Sequence, residues 1–130
     1  MRVTEIAFTC YPVTDMARAR AFYEGDLGLV PTTFYDMPDG ASWTEYEIGE
    51  GAFALGKYDG WTPSSEGGNI AFEVEDFDAA IASLRAAGVQ FRMEPIETPV
   101  CHMAMVVDPD GTSVCIHKRK ASNQSPVTSH

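Results

Sequence analysis

The feature that most restricts what this chain can fold into is an internal repeat. Val13-Thr14-Asp15 returns as Val74-Glu75-Asp76, 61 positions on, and Phe53-Ala54-Leu55 returns as Val114-Cys115-Ile116 at the same offset. Two glycines suited to ending helices, Gly28 and Gly88, stand 60 apart. Such a chain builds one supersecondary unit twice, so both halves must present the same elements in the same order.

The first half reads as strand, helix, then three strands. Residues 3–13 are rich in β-branched and aromatic side chains, and Pro12 ends their regular part. Asp15 is a good N-cap for a helix carrying Met16, Ala19, Phe22 and Tyr23, with Gly25 or Gly28 to stop it. The period then becomes two over 30–35, 42–48 and 52–58, with MPDG and GEG as turns. After a polar, glycine-rich stretch the order recurs: a strand over 68–74, a helix marked by Phe77, Ala80, Ile81, Leu84 and Ala87, and strands over 90–96, 102–107 and 112–118. The reading is an α+β fold of two tandem βαβββ modules: 1–58, a linker over 59–68, 69–119, and a polar tail over 120–130. At 130 residues, 45% hydrophobic and 22% charged, the chain has the size and composition of one structural domain with a real core.

Charge narrows the partners. Nineteen acids against nine Lys and Arg give a net charge of −10, which repels nucleic acid and anionic membrane surfaces and leaves neutral or cationic small molecules open. No apolar run reaches the length of a membrane span, and the N-terminus lacks the pattern of a secretory signal. Cys10, Cys101 and Cys115 form an odd set without CxxC spacing, as expected of free thiols in the cytoplasm.

The two βαβββ modules, the run AFYEGDLGL at 21–29 and the turn DPDG at 108–111 together resemble the vicinal oxygen chelate superfamily of glyoxalase I, bleomycin-resistance proteins, fosfomycin-resistance enzymes and extradiol dioxygenases. The resemblance covers about 3–118 and implies modules paired into a curved mixed sheet, in many relatives closing a ligand cavity across a homodimer. In metal-using relatives the first and last strand of each module bring one ligand apiece to a divalent ion. Counting from VTD and FY puts those positions at Phe8, Ala54, Asn69 and Cys115. Phe and Ala carry no donor, Asn offers a weak neutral oxygen, and Cys115 alone is a strong ligand, so neither a metal nor any other cofactor is expected.

Period-two alternation places Cys10 on the face of Phe8, His117 on that of Cys115, and Ala71 and Glu73 on that of Asn69. The expected ligand cavity is therefore lined by Phe8, Cys10, Ala54, Asn69, Cys115 and His117, with Cys101 and His102 close by. Cys115 and His117 are the candidate catalytic pair, since a thiolate beside an imidazole can attack an electrophile; a buried, inert thiol is the competing reading. Tyr35, Trp43, Tyr46, Phe53, Tyr58, Trp61 and Phe91 supply aromatic surface, with Trp43 and Tyr46 on opposite strand faces, and Trp61 in the polar linker is the one least explained by core packing. The expected function is binding, and possible sequestration, of a small organic molecule in a metal-free cavity. The alternative is a lyase, isomerase or dioxygenase with a displaced metal site or a Cys-based mechanism.

Overall fold

The computed structural model describes residues 1, 2 and 4–120; the expected tail from 121 onward, and Val3, lie outside the described residues. Contacts divide the chain into two units, Met1–Gly67 with Pro109–Gly111, and Gly68–Asp108 with Thr112 onward.

The first unit contains β1 (Thr9–Pro12), α1 (Met16–Arg20) running into a π-helical turn (Ala21–Asp26), β2 (Thr33–Asp36), β3 (Ser42–Ile48) and β4 (Gly51–Lys57). Its four strands form a mixed sheet in the order β1-β4-β3-β2, parallel between β1 and β4 and antiparallel elsewhere. The second unit repeats this with β5 (Ile70–Glu73), α2 (Phe77–Ala86), β6 (Phe91–Glu97), β7 (Cys101–Val107) and β8 (Ser113–Arg119), in the order β5-β8-β7-β6. The expected α+β fold of two βαβββ modules is thus realised.

The offset holds at the level of single hydrogen bonds. Thr9 pairs with Phe53 and Ile70 with Val114. Asp15 caps α1 by accepting from the Arg18 N–H, and Asp76 caps α2 by accepting from the Ala79 N–H, each at 3.0 Å. Past the helices, Gly28 (φ 78°) and Gly88 (φ 76°) take up the left-handed conformation in which a Cβ is disfavoured.

Three strands are shorter than their residue pattern suggested. The first spans Thr9–Pro12 rather than 3–13, because it lies at a sheet edge and its ladder with β4 begins at Thr9. The second begins at Thr33 rather than at 30, since Pro31 has no N–H to give to a ladder. The strand expected over 68–74 runs Ile70–Glu73, which leaves Asn69 just ahead of it.

In the first unit the core lies between the sheet and the helical segment. Tyr23 meets Phe53 with ring centroids 5.2 Å apart, and Tyr46, Leu55, Thr44 and Val13 are buried on this side. The Tyr46 hydroxyl donates to Glu24 at 2.9 Å, and Glu24 is paired in turn with Arg20. Burial, reinforced by the Glu24 carboxylate, pushes the Tyr46 phenol up in pKa, so it stays a neutral donor. In the second unit Phe77, Ile81 and Leu84 of α2 are buried, as are Ala104, Val106, Val114 and Ile116 of the sheet.

Candidate functional site

Cross-strand partners share a sheet face, so the register assigns each side chain in the first unit to the helix side or the open side. On the open side one row runs Tyr35, Trp43, Gly56, Pro12 and the next runs Thr33, Glu45, Ala54, Cys10. Trp43 is on this face and Tyr46 on the other, as their spacing implied. Phe8 stands just before β1 with its ring 5.5 Å from that of Trp43, edge to face at 86°. Trp43 lies 6.4 Å from Tyr58, and Tyr58 5.9 Å from Trp61, so four rings form a continuous chain. Phe8, Tyr35, Tyr58 and Trp61 are 48%, 50%, 37% and 39% exposed, far more than aromatic residues in a core.

Two features shape this surface. A Cβ on Gly56 would lie 2.7 Å from Cζ3 of Trp61, 3.1 Å from Cε2 of Tyr58 and 3.2 Å from Cζ3 of Trp43, so glycine is what lets three rings close over the strand. The Trp43 indole N–H donates to the Glu45 carboxylate at 3.1 Å, which fixes an acid among the rings. Beside Tyr58 and Trp61 a cleft of about 230 Å³ is lined by Thr14, Lys57, Asp59 and Thr62.

In the second unit α2 covers the other row. Phe77 meets His102 at 5.6 Å, and the Arg85 guanidinium sits 4.4 Å above the Phe91 ring. His102 is therefore turned toward the helix and away from the face of Cys115, contrary to its expected place beside the cavity. Phe91 likewise belongs to this helix side and is no part of the aromatic wall. A cleft of about 430 Å³ at the start of α2 is lined by Glu75, Asp76, Asp78, His102 and Lys118. The opposite face carries Ala71 beside Cys115 and Glu73 beside His117, with Met105 and Met103 across from them on β7. Ala71, Glu73, Cys115 and His117 therefore share one face of this sheet.

Two of the thiols are pushed toward the protonated form. Burial, followed by the charge of Glu45, pushes Cys10 up to about 12, and burial, followed by Cys101, raises Cys115. The Cys115 Sγ lies 3.8 Å from the Ile116 carbonyl, while the His117 ring is engaged by Glu73. Of the six expected cavity residues, Phe8, Cys10 and Ala54 sit together on the open face of the first unit. Cys115 and His117 share a face of the second, and Asn69 is exposed ahead of β5. The six-residue cavity expectation left out Trp43, Glu45, Gly56 and Trp61, although Trp43 and Trp61 stood among the aromatic residues noted there and Trp61 as the one least explained by core packing. The usable signal was the spacing of Trp43 and Glu45 on one strand face and a glycine inside an apolar strand.

The Glyoxalase/Bleomycin resistance protein/Dioxygenase superfamily profile matches residues 5–116. The chain belongs to this superfamily. No curated protein sequence matches it, but solved structures of glyoxalase-type folds do. TnmS3, an antibiotic binding protein from Streptomyces sp. CB03234, is 24% identical over 92% of this chain and 99% of its own, with a TM-score of 0.75. The trypanothione-dependent glyoxalase I of Leishmania major is 27% identical over 89% of this chain and 87% of its own, at 0.73. A glyoxalase/bleomycin resistance protein, also from Streptomyces sp. CB03234, is 26% identical over 86% and 98%, at 0.69.

Many members of the glyoxalase superfamily hold a divalent ion, and the residues here do not fit one. Phe8 and Ala54 have no donor atom and Asn69 offers only a neutral oxygen, which leaves too few strong ligands among those four positions for a divalent ion. Among the described residues no three His, Cys, Asp or Glu side chains stand close enough to share a metal ion.

Proposed function

We propose that this glyoxalase/bleomycin-resistance-like protein binds a flat, ring-bearing organic molecule, neutral or cationic, and sequesters it without a metal. The observation that carries this reading is the chain of exposed rings from Phe8 through Trp43 and Tyr58 to Trp61 on a sheet face with Glu45 set into it. Aromatic faces attract other π-systems and cations, and a carboxylate among them adds a counter-charge for an amine. Cys10 and Ala54 form the small floor beside Glu45. An antibiotic binding protein of the same fold supports the choice of ligand class. The enzymatic alternative in its Cys-based form draws no support from thiols whose pKa values are raised.

The proposal includes modules over 1–58 and 69–119 joined by 59–68, a homodimeric state, and a cytoplasmic location without nucleic-acid or membrane partners. Among the described residues no helix is long and apolar enough to cross a membrane. A thermal-shift screen of polycyclic antibiotics and aromatic metabolites on protein dialysed against a chelator tests it. Hits should stabilise the chelated protein, as a ligand at 100 times its Kd adds about 2.7 kcal/mol, and Trp61→Ala should remove the shift. Stabilisation only after adding back nickel, zinc or iron would overturn the reading.

A further inference from the structure

Where the ring chain of the first unit ends, the surface turns from apolar to polar. The cleft there has a volume of about 230 Å³, with Tyr58 and Trp61 as its aromatic side and the buried Val13 in its lining. Pockets that take whole drug-sized ligands run to about 300–1,000 Å³, so this one suits a single substituent of a larger molecule. Hydrogen bonds hold its shape from both sides. The Trp61 N–H donates to the Tyr58 carbonyl at 3.2 Å, closing a turn that sets the two rings 5.9 Å apart. The Val13 N–H donates to the Gly56 carbonyl at 2.9 Å, and the Thr14 hydroxyl donates to Asp110 at 2.6 Å.

Two charges of opposite sign, Lys57 and Asp59, line this small space, and the Thr62 hydroxyl is a third polar group in its wall. The Lys57 ammonium donates to the Gly40 carbonyl at 3.2 Å, which anchors it through one of its three hydrogens. An ion of either sign entering the cleft would meet one attracting and one repelling charge. A neutral group that both donates and accepts satisfies the pair: neighbouring hydroxyls can donate to the two Asp59 oxygens and accept from Lys57. The aromatic side adds a second requirement. The negative face of a ring attracts weakly positive C–H bonds, so Trp61 and Tyr58 favour a group with a C–H face as well as a hydroxyl rim. A saturated sugar ring has both.

We propose that the cleft is a sugar subsite, which takes a neutral pyranose carried by the ring-bearing molecule on the adjoining aromatic face. The inference rests on the aromatic ligand proposed above and specifies its class as a glycoside. The aglycone lies along Phe8, Trp43 and Tyr58, and the sugar stacks on Trp61 within reach of Asp59 and Lys57.

Equilibrium dialysis with 4-methylumbelliferyl glucoside, galactoside and mannoside tests this against 7-methoxy-4-methylcoumarin, which has the same flat ring system and no sugar. At least one glycoside should bind about tenfold tighter than the methoxycoumarin, the gain expected of hydrogen bonds to charged groups. 4-Methylumbelliferyl phosphate, the anionic counterpart, should show no such gain. Asp59→Ala should bring the ratio of glycoside to methoxycoumarin affinity close to unity, and Lys57→Met should lower it severalfold. Asp59→Asn, which keeps one acceptor, should retain part of it, with unchanged far-UV circular dichroism in all three variants. Methoxycoumarin binding that no glycoside improves on, a larger gain for the phosphate, or a ratio that survives both Asp59→Ala and Lys57→Met would overturn the sugar subsite and leave the aromatic reading standing. Binding of neither the methoxycoumarin nor any glycoside would overturn the subsite together with the ligand class on which it rests.

Discussion

At Gly56 any side chain would enter space already filled by the rings of Trp61, Tyr58 and Trp43. The strand backbone there could accept alanine, so the cost of Gly56→Ala falls on the rings. The substitution should push Trp61 outward into water, shift the tryptophan emission to the red, and lower stability by about 1–3 kcal/mol in urea unfolding, the range for overpacked sites. An unchanged spectrum and midpoint would mean that the rings do not close over this residue. Cys10 allows a second check at this scale. With its pKa pushed up to about 12 by burial and by Glu45, against an ordinary 9.0, it holds almost no thiolate near neutrality. Its alkylation by iodoacetamide at pH 8 should run on the order of a hundred- to a thousandfold slower than that of a free thiol, rising with pH beyond 10. Peptide mass spectrometry reads this directly, and rapid labelling at neutral pH would show an open, ionised cysteine.

Elements were more legible in the sequence than the faces they present. The repeat disclosed the element order because capping and stop signals are local: Asp15 and Asp76 each accept from the backbone three residues on. Truncating either cap, Asp15→Ala or Asp76→Ala, should therefore cost a similar 0.5–2 kcal/mol, roughly 1 kcal/mol as a central value, in chemical denaturation. A loss at one cap and none at the other would show that the two units do not use them alike. Strand ends were less legible, because pairing depends on a partner strand distant in sequence. The pattern over 3–13 could not show that the β1–β4 ladder begins at Thr9. Nor could local pattern foresee the π-helical turn over Ala21–Asp26, closed by the Leu27 N–H reaching the Phe22 carbonyl. Along single strands, alternation placed Phe8 with Cys10 and Cys115 with His117, while the resemblance alone supplied Ala54 beside Cys10. Neither showed that α2 claims His102 through Phe77, or that Trp61 returns over Gly56, since both depend on packing between separate elements.

At the scale of the whole molecule, the superfamily supplies a scaffold and this sequence alters what the scaffold carries. Phe8 and Ala54, which the resemblance sets at two of the four ligand positions of metal-using relatives, carry no donor atom. Aromatic side chains occupy the face on which Phe8 and Ala54 lie, and the net charge of −10 favours a neutral or cationic guest over an anionic one. Both tryptophans, Trp43 and Trp61, belong to the ring chain, so the intrinsic fluorescence of the protein reports on this surface without added labels. The decisive measurement is a titration of chelator-treated protein with a hit from the thermal-shift screen, followed by tryptophan emission. The account predicts saturable quenching that Trp43→Phe and Trp61→Phe each reduce and that Glu45→Gln weakens about tenfold for a cationic ligand. Binding that leaves the emission of both tryptophans unchanged, or that vanishes with the chelator, would contradict it.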